Sequence, residues 1–327
     1  MPPSDPADCS PYYKTSATSS HCSDDAGFRT STPVIDSQFR DPKPAEQKKY
    51  ISMKSANAVA RAFKALHVPS SPLRLANVHD ATSARIVAAL PGCAALASAS
   101  FSVARAVGIS DAALSHDLDT HLRALGPIAA VAREAGLPFS VDLQGGYGAR
   151  LEEAVLGVVR MGAVGINLED SVEEEQAAAG GEGTTSVAVV MDETVAVERI
   201  RRALAVAASE GLPEFVVNAR PDSHLAGGTL EESIRRGRLY LDAGATTVYI
   251  LSQMPGGFTE SEVTRMVTAL DGKVNIGVRL PGLPLEGSVK PLTSDDLARL
   301  GVARISVGPQ LYFAAERAMK EATNSVF

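Results

Sequence analysis

Basic charge, cysteine and long apolar runs are what this sequence is short of. Its 31 Lys and Arg are outnumbered by 38 Asp and Glu, for a net charge of −7. No basic stripe is available to neutralise a run of phosphates, which argues against a nucleic-acid partner. A small anionic ligand is not excluded, because a few local cations or a metal suffice to hold one. Three cysteines, Cys9, Cys22 and Cys93, have no CxxC or Cys/His spacing among them. Neither a disulfide framework nor a zinc site is suggested, and a reducing compartment fits. No apolar run approaches membrane-span length, so no membrane role is expected. The N-terminal region carries Asp5, Asp8, Asp24 and Asp25 without an apolar stretch, unlike a secretory signal or a mitochondrial presequence. The last residues, Asn-Ser-Val-Phe, are not a peroxisomal tripeptide. The expected location is the cytoplasm.

What is present is enough apolar material, 45% hydrophobic against 21% charged, for one large core. Residues 1–48 are rich in Ser, Thr, Pro and Asp and lack periodicity, so they are expected to be a disordered tail. Residues 49–327 read as a single domain. A helical pattern over 49–66 is broken by Pro69-Ser70-Ser71-Pro72, and strands then alternate with helices, among them one long helix over Leu114–Ala135 and one over Glu193–Glu210 with Val197, Ile200, Leu204 and Ala207 on one face. The spacing predicts strands at Leu73–Val78, Ala94–Ser100, Phe139–Leu143, Val164–Leu168, Phe215–Asn218, Thr247–Leu251, Val274–Val278 and Arg304–Val307. Eight βα units over this length predict a closed (β/α)8 TIM-type barrel. An open doubly wound sheet is the alternative, but no GxGxxG follows the first strand. The stretch from Ser171 to Met191 is expected to be a long loop, acting as a lid over the barrel mouth.

In such a barrel the chemistry sits where strands end. Val141-Asp142-Leu143-Gln144-Gly145-Gly146-Tyr147-Gly148 is an apolar strand ending in an acid and a glycine turn. Gly165-Ile166-Asn167-Leu168-Glu169-Asp170-Ser171 ends in acids, and Phe215-Val216-Val217-Asn218-Ala219-Arg220-Pro221-Asp222 ends in Asn and Arg. Carboxylates of Asp142 and Glu169, from neighbouring strands, can converge on a hard cation such as Mg2+. Arg220 suits bidentate capture of a carboxylate, or else an ion pair with Glu169 or Asp170. Asp111, in the loop after the second strand, either holds a metal-bound water or caps a helix. His79 is a candidate acid or base, with a structural role favoured. Asp80 is expected to cap the helix after it or to buttress the second strand, and Arg279 either meets a second anionic group or is an exposed arginine.

These motifs resemble the isocitrate lyase/phosphoenolpyruvate mutase superfamily. Asn77-Val78-His79-Asp80-Ala81, the three strand-end segments above and Ala303-Arg304-Ile305-Ser306-Val307-Gly308-Pro309 match in order, over residues 55–320. The resemblance implies a barrel whose last helix is exchanged between subunits of a homo-oligomer, a tetramer or dimer. It implies Mg2+ or Mn2+ and a small anionic 2-oxo or 2-hydroxy acid handled through an enolate. By this likeness Asp142 and Glu169 are the metal residues, Glu169 and Asp111 holding metal waters. Arg220 binds the substrate carboxylate with Asn218 beside it, and the backbone around Ala99, Ser100 and Phe101 receives substrate oxygens. Three departures bear on the reaction. Gln144 and Ala99 replace an acid and a serine of the family pattern. The 171–191 segment has no cysteine, and it lacks the Lys and Asn expected of phosphonate mutases. Leu251-Ser252-Gln253 stands where those mutases carry a histidine. The expected activity is therefore cleavage of a C–C bond. A phosphoenolpyruvate mutase-like or carboxyphosphonate mutase-like P–C enzyme is the alternative, and a keto-acid-binding barrel without turnover the second alternative.

Overall fold

The computed structural model describes residues 56–177, 184–252, 257–280 and 291–326. The tail expected over residues 1–48, and with it Cys9 and Cys22, lies outside them. In chain order the described elements begin with α1 (Ala56–Ala65), β1 (Leu73–Leu75), β2 (Asn77–Val78), α2 (Ala81–Ala88), β3 (Leu96–Ser98), α3 (Ser100–Ala106), α4 (Asp111–Leu114) and α5 (Leu118–Ala135). They continue with β4 (Phe139–Asp142), α6 (Leu151–Arg160), β5 (Gly165–Glu169), β6 (Ser171–Ala177), β7 (Thr184–Val190), α7 (Glu193–Ser209) and β8 (Val216–Arg220). The last are α8 (Leu230–Asp242), β9 (Thr247–Tyr249), α9 (Glu260–Ala269), β10 (Val274–Gly277), α10 (Ser294–Leu300), β11 (Arg304–Ser306) and α11 (Gln310–Thr323).

The main sheet runs β1-β11-β10-β9-β8-β5-β4-β3-β2, and every pair in it is parallel. β1 and β2 are two halves of one strand, interrupted at Ala76. The first half pairs with β11 and the second with β3, so the sheet closes on itself. The expected (β/α)8 barrel is the observed fold. Asn77 fastens the seam. Its Nδ2 donates to the Ser98 carbonyl at 2.8 Å, while its Oδ1 accepts from the Val307 and Gly308 amides, both at 3.1 Å.

The N-terminal mouth of the barrel is plugged by α1. Phe63 is fully buried there against the starts of β5 and β8. Gly165 makes the fit possible, since a Cβ at that position would stand 3.0 Å from the Phe63 ring and 2.9 Å from the Val216 carbonyl oxygen. With one mouth closed, ligands are left the C-terminal mouth.

Three local expectations differ from the structure. The 171–191 stretch is not a structureless loop over its described part. β6 and β7 pair antiparallel, Ser171 opposite Val190 through Ala177 opposite Thr184. The β-branched run Thr184-Thr185-Ser186-Val187-Ala188-Val189-Val190 supplies the strand propensity. The single long helix expected over Leu114–Ala135 is two, because Asp117 caps a new one by accepting from the Thr120 amide at 2.9 Å. The buried face of α7 is Ala196, Arg199, Ile200, Ala203 and Ala207, rotated from the expected Val197-Ile200-Leu204-Ala207 face so that an arginine points inward.

The barrel interior also carries a polar layer, where apolar strands were expected. Asn167, Asn218, Thr247, Asn275 and Arg304 are all buried. The closing helix α11 is the opposite case. It has no buried residue, and Phe313 and Met319 stand 37% and 60% exposed. Among the described residues no helix is long and apolar enough to cross a membrane.

Replacing Asn77 by Leu strands the Gly308 amide hydrogen and the Ser98 carbonyl at the barrel seam, and leaves the Val307 amide only its longer bond to the Leu75 carbonyl. A loss of about 3 kcal/mol of unfolding free energy is expected, at the scale of buried groups left unpaired. Urea denaturation of the two proteins side by side measures it.

Candidate active site

Three strands end in the residues that make the site, β4 in Asp142, β5 in Glu169 and β8 in Arg220. Parallel register sets Asp142 beside Asn167 and Glu169 beside Arg220. Asp142 is held on every side. Its amide donates to Ser98 Oγ at 3.0 Å, and its Oδ2 accepts from the Ser100 amide at 2.9 Å. Asn167 Nδ2 reaches its Oδ1 at 3.5 Å. The orientation of that amide follows from the layer around it. Asn167 Oδ1 accepts from Asn218 Nδ2 at 2.9 Å and from Arg304 Nη2 at 3.1 Å, so its NH2 must face Asp142. Asn218 is fixed in turn by Thr247 Oγ1, which donates to its Oδ1 at 2.6 Å. Burial pulls the Arg304 pKa down to about 10, which leaves it a cation near neutral pH.

Arg220 lies between two carboxylates. Nε and Nη2 grip Asp222 at 2.6 and 2.9 Å, and Nη1 pairs with Glu169. Ser171 Oγ donates to Asp222 Oδ2 at 2.6 Å and completes that clasp. Burial works against the charge on Arg220, but Asp222 and Glu169 outweigh it and hold its pKa above the usual value. The Glu169 carboxyl is pushed well above its usual range, by burial first and then by Asp222, Asp142 and Asp111, against the pull of Arg220. Asp170 faces away into a separate buried cluster. It accepts from the Asp222 amide at 2.7 Å, Tyr240 at 2.5 Å and Arg236 at 3.1 Å, and burial raises its pKa.

The turn after β4 is clamped against the end of β5. A Cβ on Gly145 would come within 2.6 Å of the Ser171 carbonyl oxygen, so no larger residue fits there. Arg199, reaching in from α7, donates to the carbonyls of Gly145 and Glu169. The backbone beyond is left-handed at Gln144 (φ 51°) and Tyr147 (φ 62°), two non-glycine residues. Gln144 Nε2 donates to Asp111 Oδ1 at 2.8 Å and to its carbonyl at 3.1 Å. The acid-to-amide replacement thus becomes a donor that holds a neighbouring acid.

A cavity of about 490 Å³ opens over these groups, with Asp111, Gln144, Tyr147, Glu169, Arg220 and Asp222 among its walls. Asp111, Glu169 and Arg220 are therefore together. Asp142 is 8% exposed and is not a wall of the cavity, although its charge is felt at Glu169, Tyr147 and Arg304. Asn218 is fully buried with both ends of its amide engaged, and it meets the site through Asn167. Ala99 is the N-cap residue of α3, and Ser100 spends its amide hydrogen on Asp142. Phe101 packs on Phe313 with ring centroids 5.6 Å apart. Arg279 is half-buried and is not a cavity wall. Asp111 is not the helix cap, since Ser110 takes that place by accepting from the Ala113 amide at 3.1 Å. Asp80 does cap α2, in a reciprocal box with Ser83. His79 packs edge-on against Tyr312, and burial lowers its pKa. The alternative ion pair for Arg220 is made with Glu169, and with Asp222, but not with Asp170.

Arg199, Arg236, Asn167, Arg304 and the pair His121 and Tyr147 were not among the expected site residues. Both surface-helix arginines had a readable sign. Arg199 stands three residues after the buried Ala196, and Arg236 three after the buried Ser233 and four before the buried Tyr240, each on its helix's core-facing stripe.

A closed parallel barrel that gathers carboxylates and an arginine at its strand ends is a site architecture of TIM-barrel enzymes. The chain belongs to the phosphoenolpyruvate phosphomutase family, whose family model matches residues 63–327. An uncharacterized protein of Mycobacterium tuberculosis is 31% identical over 270 residues, covering 81% of this chain and 88% of that protein. The phosphoenolpyruvate phosphomutase of Streptomyces hygroscopicus is 29% identical over 242 residues, 73% of this chain and 70% of that enzyme. In structure the chain is similar to 2,3-dimethylmalate lyase, a member of the same superfamily. The TM-score is 0.66 with 23% identity, over 82% of this chain and 87% of that one.

The buried His121 gives the site region a pH signature. Burial depresses its pKa from 6.5 to about 4. Its contribution to stability is whole above pH 6.5 and is lost as pH falls from 6.5 toward 4, where the unfolded chain takes up a proton and the folded one does not. The loss should reach about 3 kcal/mol at pH 4. His121→Asn should flatten the stability profile over that interval, as read from urea denaturation at half-unit pH steps.

Proposed function

We propose that the chain is a Mg2+-dependent lyase that cleaves a C–C bond in a small 2-oxo or 2-hydroxy acid, with Mn2+ able to replace Mg2+. The observation that carries this reading is the gathering of Asp111, Glu169 and Arg220 around one cavity, with the buried Asp142 near enough for its charge to act on Glu169. The donor set suits a hard cation, being all oxygen. Among the described residues no three His, Cys, Asp or Glu side chains cluster tightly enough to cage a metal. Mg2+ does not require a cage, because it takes one or two carboxylates and fills its other positions with water and substrate. The crowding that pushes Glu169 upward is of the kind a divalent cation relieves.

Asp142 would be the direct ligand, with Glu169 and Asp111 holding ligand waters. When bound, the cation supplies charge to stabilise an enolate oxygen as the bond breaks. The protein's own share is binding and orientation. Arg220 keeps one unshared hydrogen on each of Nη1 and Nη2 after Asp222 and Glu169 are served, and these two would take the substrate carboxylate. Asn218 supports this arrangement through Asn167. Ala99, Ser100 and Phe101 would line the far side, with the Ser100 amide turning from Asp142 to a substrate oxygen. Arg279 would meet a second anionic group on a longer acid. The paired strands β6 and β7, whose first residues Ser171 and Val172 border the cavity, would serve as the lid expected of residues 171–191. The exposed face of α11 fits an exchanged helix in a dimer or tetramer.

The kinship with a phosphomutase favours a second reading, a P–C enzyme acting on a phosphonate. The Lys, Asn and His of such mutases are missing at their matching positions, which is why cleavage is preferred. With Mg2+, purified protein is expected to release pyruvate or glyoxylate from a panel of oxaloacetate, malate-type and isocitrate-type acids. Chelator or Asp142→Ala should lower turnover at least 100-fold. Conversion of phosphonopyruvate alone would transfer the assignment to the mutase. Tight acid binding without any turnover would make the chain a binding barrel.

A further inference from the structure

Neither Tyr147, a wall of the cavity, nor His121 behind it has yet been given a chemical role. His121 is fully buried on α5, and its Nδ1 lies 2.5 Å from the Tyr147 hydroxyl. Its other ring nitrogen, Nε2, is buried with no partner. The neutral ring carries one proton, which can sit on either nitrogen. With the proton on Nε2, a buried N–H is left unmade and Nδ1 takes the Tyr147 hydrogen. With the proton on Nδ1, the ring donates to the Tyr147 oxygen and only an aromatic lone pair goes unpaired. A buried orphan N–H is the rarer and costlier defect, so the second tautomer is favoured.

In that tautomer the Tyr147 oxygen receives from His121 and must direct its own hydrogen elsewhere. The protein offers it Gln144 Oε1 at 3.4 Å, beyond the ordinary range of an O–H···O bond. Gln144 cannot approach by turning, because its NH2 is fixed on Asp111. Tyr147 is meanwhile a wall of the cavity shared with Asp111, Glu169 and Arg220. Its left-handed backbone at φ 62° is a strained choice for a bulky side chain, and it keeps the ring there.

We infer that Tyr147, oriented by His121, donates a hydrogen bond to an anionic oxygen, carboxylate or enolate, of the acid bound in the cavity. This rests on the keto- or hydroxy-acid reading above. Tyr147 is then a substrate-contacting residue and His121 a positioning residue. The hydroxyl stays protonated, in keeping with a pKa raised by burial and by Asp142 and Asp111.

Two measurements on the full chain test it. In 15N-histidine-labelled protein, nitrogen shifts are expected to show His121 protonated on Nδ1; protonation on Nε2 overturns the proposal whatever binds. Calorimetry with Mg2+ and oxalate, a dianion shaped like the enolate of a 2-oxo acid, reads the second half. Tyr147→Phe should weaken oxalate at least tenfold, and His121→Leu should match it. The double variant should be no worse than Tyr147→Phe alone. His121→Asn, whose amide can donate to the same oxygen, should restore affinity to within threefold of wild type. Unchanged oxalate affinity in Tyr147→Phe overturns the proposal and leaves the acid-binding reading intact. Failure of the wild type to bind oxalate or turn over any acid, with the tautomer as expected, overturns that reading and the ligand assigned to Tyr147 with it.

Discussion

Buried negative charge is the constraint to which this barrel is built. Asp142, Glu169, Asp170 and Asp222 converge at the ends of three adjacent strands, and Asp111 faces them across the cavity. Carboxylates taken out of water must be paired, hydrogen-bonded or neutralised. The chain answers with four arginines from four elements, each with a different task. Arg220 separates Glu169 from Asp222, Arg236 holds Asp170, Arg199 ties down the carbonyls of the turn, and Arg304 orients the amide beside Asp142. Protein atoms satisfy Asp170 and Asp222 completely. Glu169 shares Arg220 with Asp222 and stays crowded by Asp222, Asp142 and Asp111.

The difference between the two carboxylate sets also separates structure from chemistry. Asp170 takes three donors and closes a buried network linking β5, β8 and α8. Glu169, its neighbour, turns the other way because successive strand residues point to opposite faces. One residue step therefore divides a fold-holding acid from a cavity-facing one. Gln144 shows the same economy. An acid in its place would repel Asp111, whereas the amide binds it, so the charge lost from the cluster is exchanged for a fixed geometry.

The barrel and the strand-end residues were legible because they follow from period and punctuation. Apolar strands ending in polar residues mark the mouth of a βα unit, and that pattern singled out Asp142, Glu169 and Arg220, with Asp111 in the loop after the second strand; the structure brings Asp111, Glu169 and Arg220 to one cavity. The polar layer was harder to see. Asn167, Asn218, Thr247 and Arg304 interrupt their strands singly, and only closure of the barrel shows that they meet. His121 was hidden for a related reason, since helical spacing places it on the core side of α5 but does not name its partner 26 residues away in a turn. The hairpin of β6 and β7 was misread as a loop because its glutamates and glycines outweighed its β-branched half. Arg199 was missed because the face of α7 was set one residue off.

The Asn77 seam has a consequence for how the chain is made. Its bonds join residues 230 and 231 positions apart, so the first strand cannot find its second neighbour until β11 exists. On a ribosome β1 waits, one edge unpaired, through the synthesis of nearly all the domain. Contacts of that separation slow folding and leave a strand edge open to other chains in the interval. The shortness of β1 and β2, three residues and two, keeps that waiting edge small.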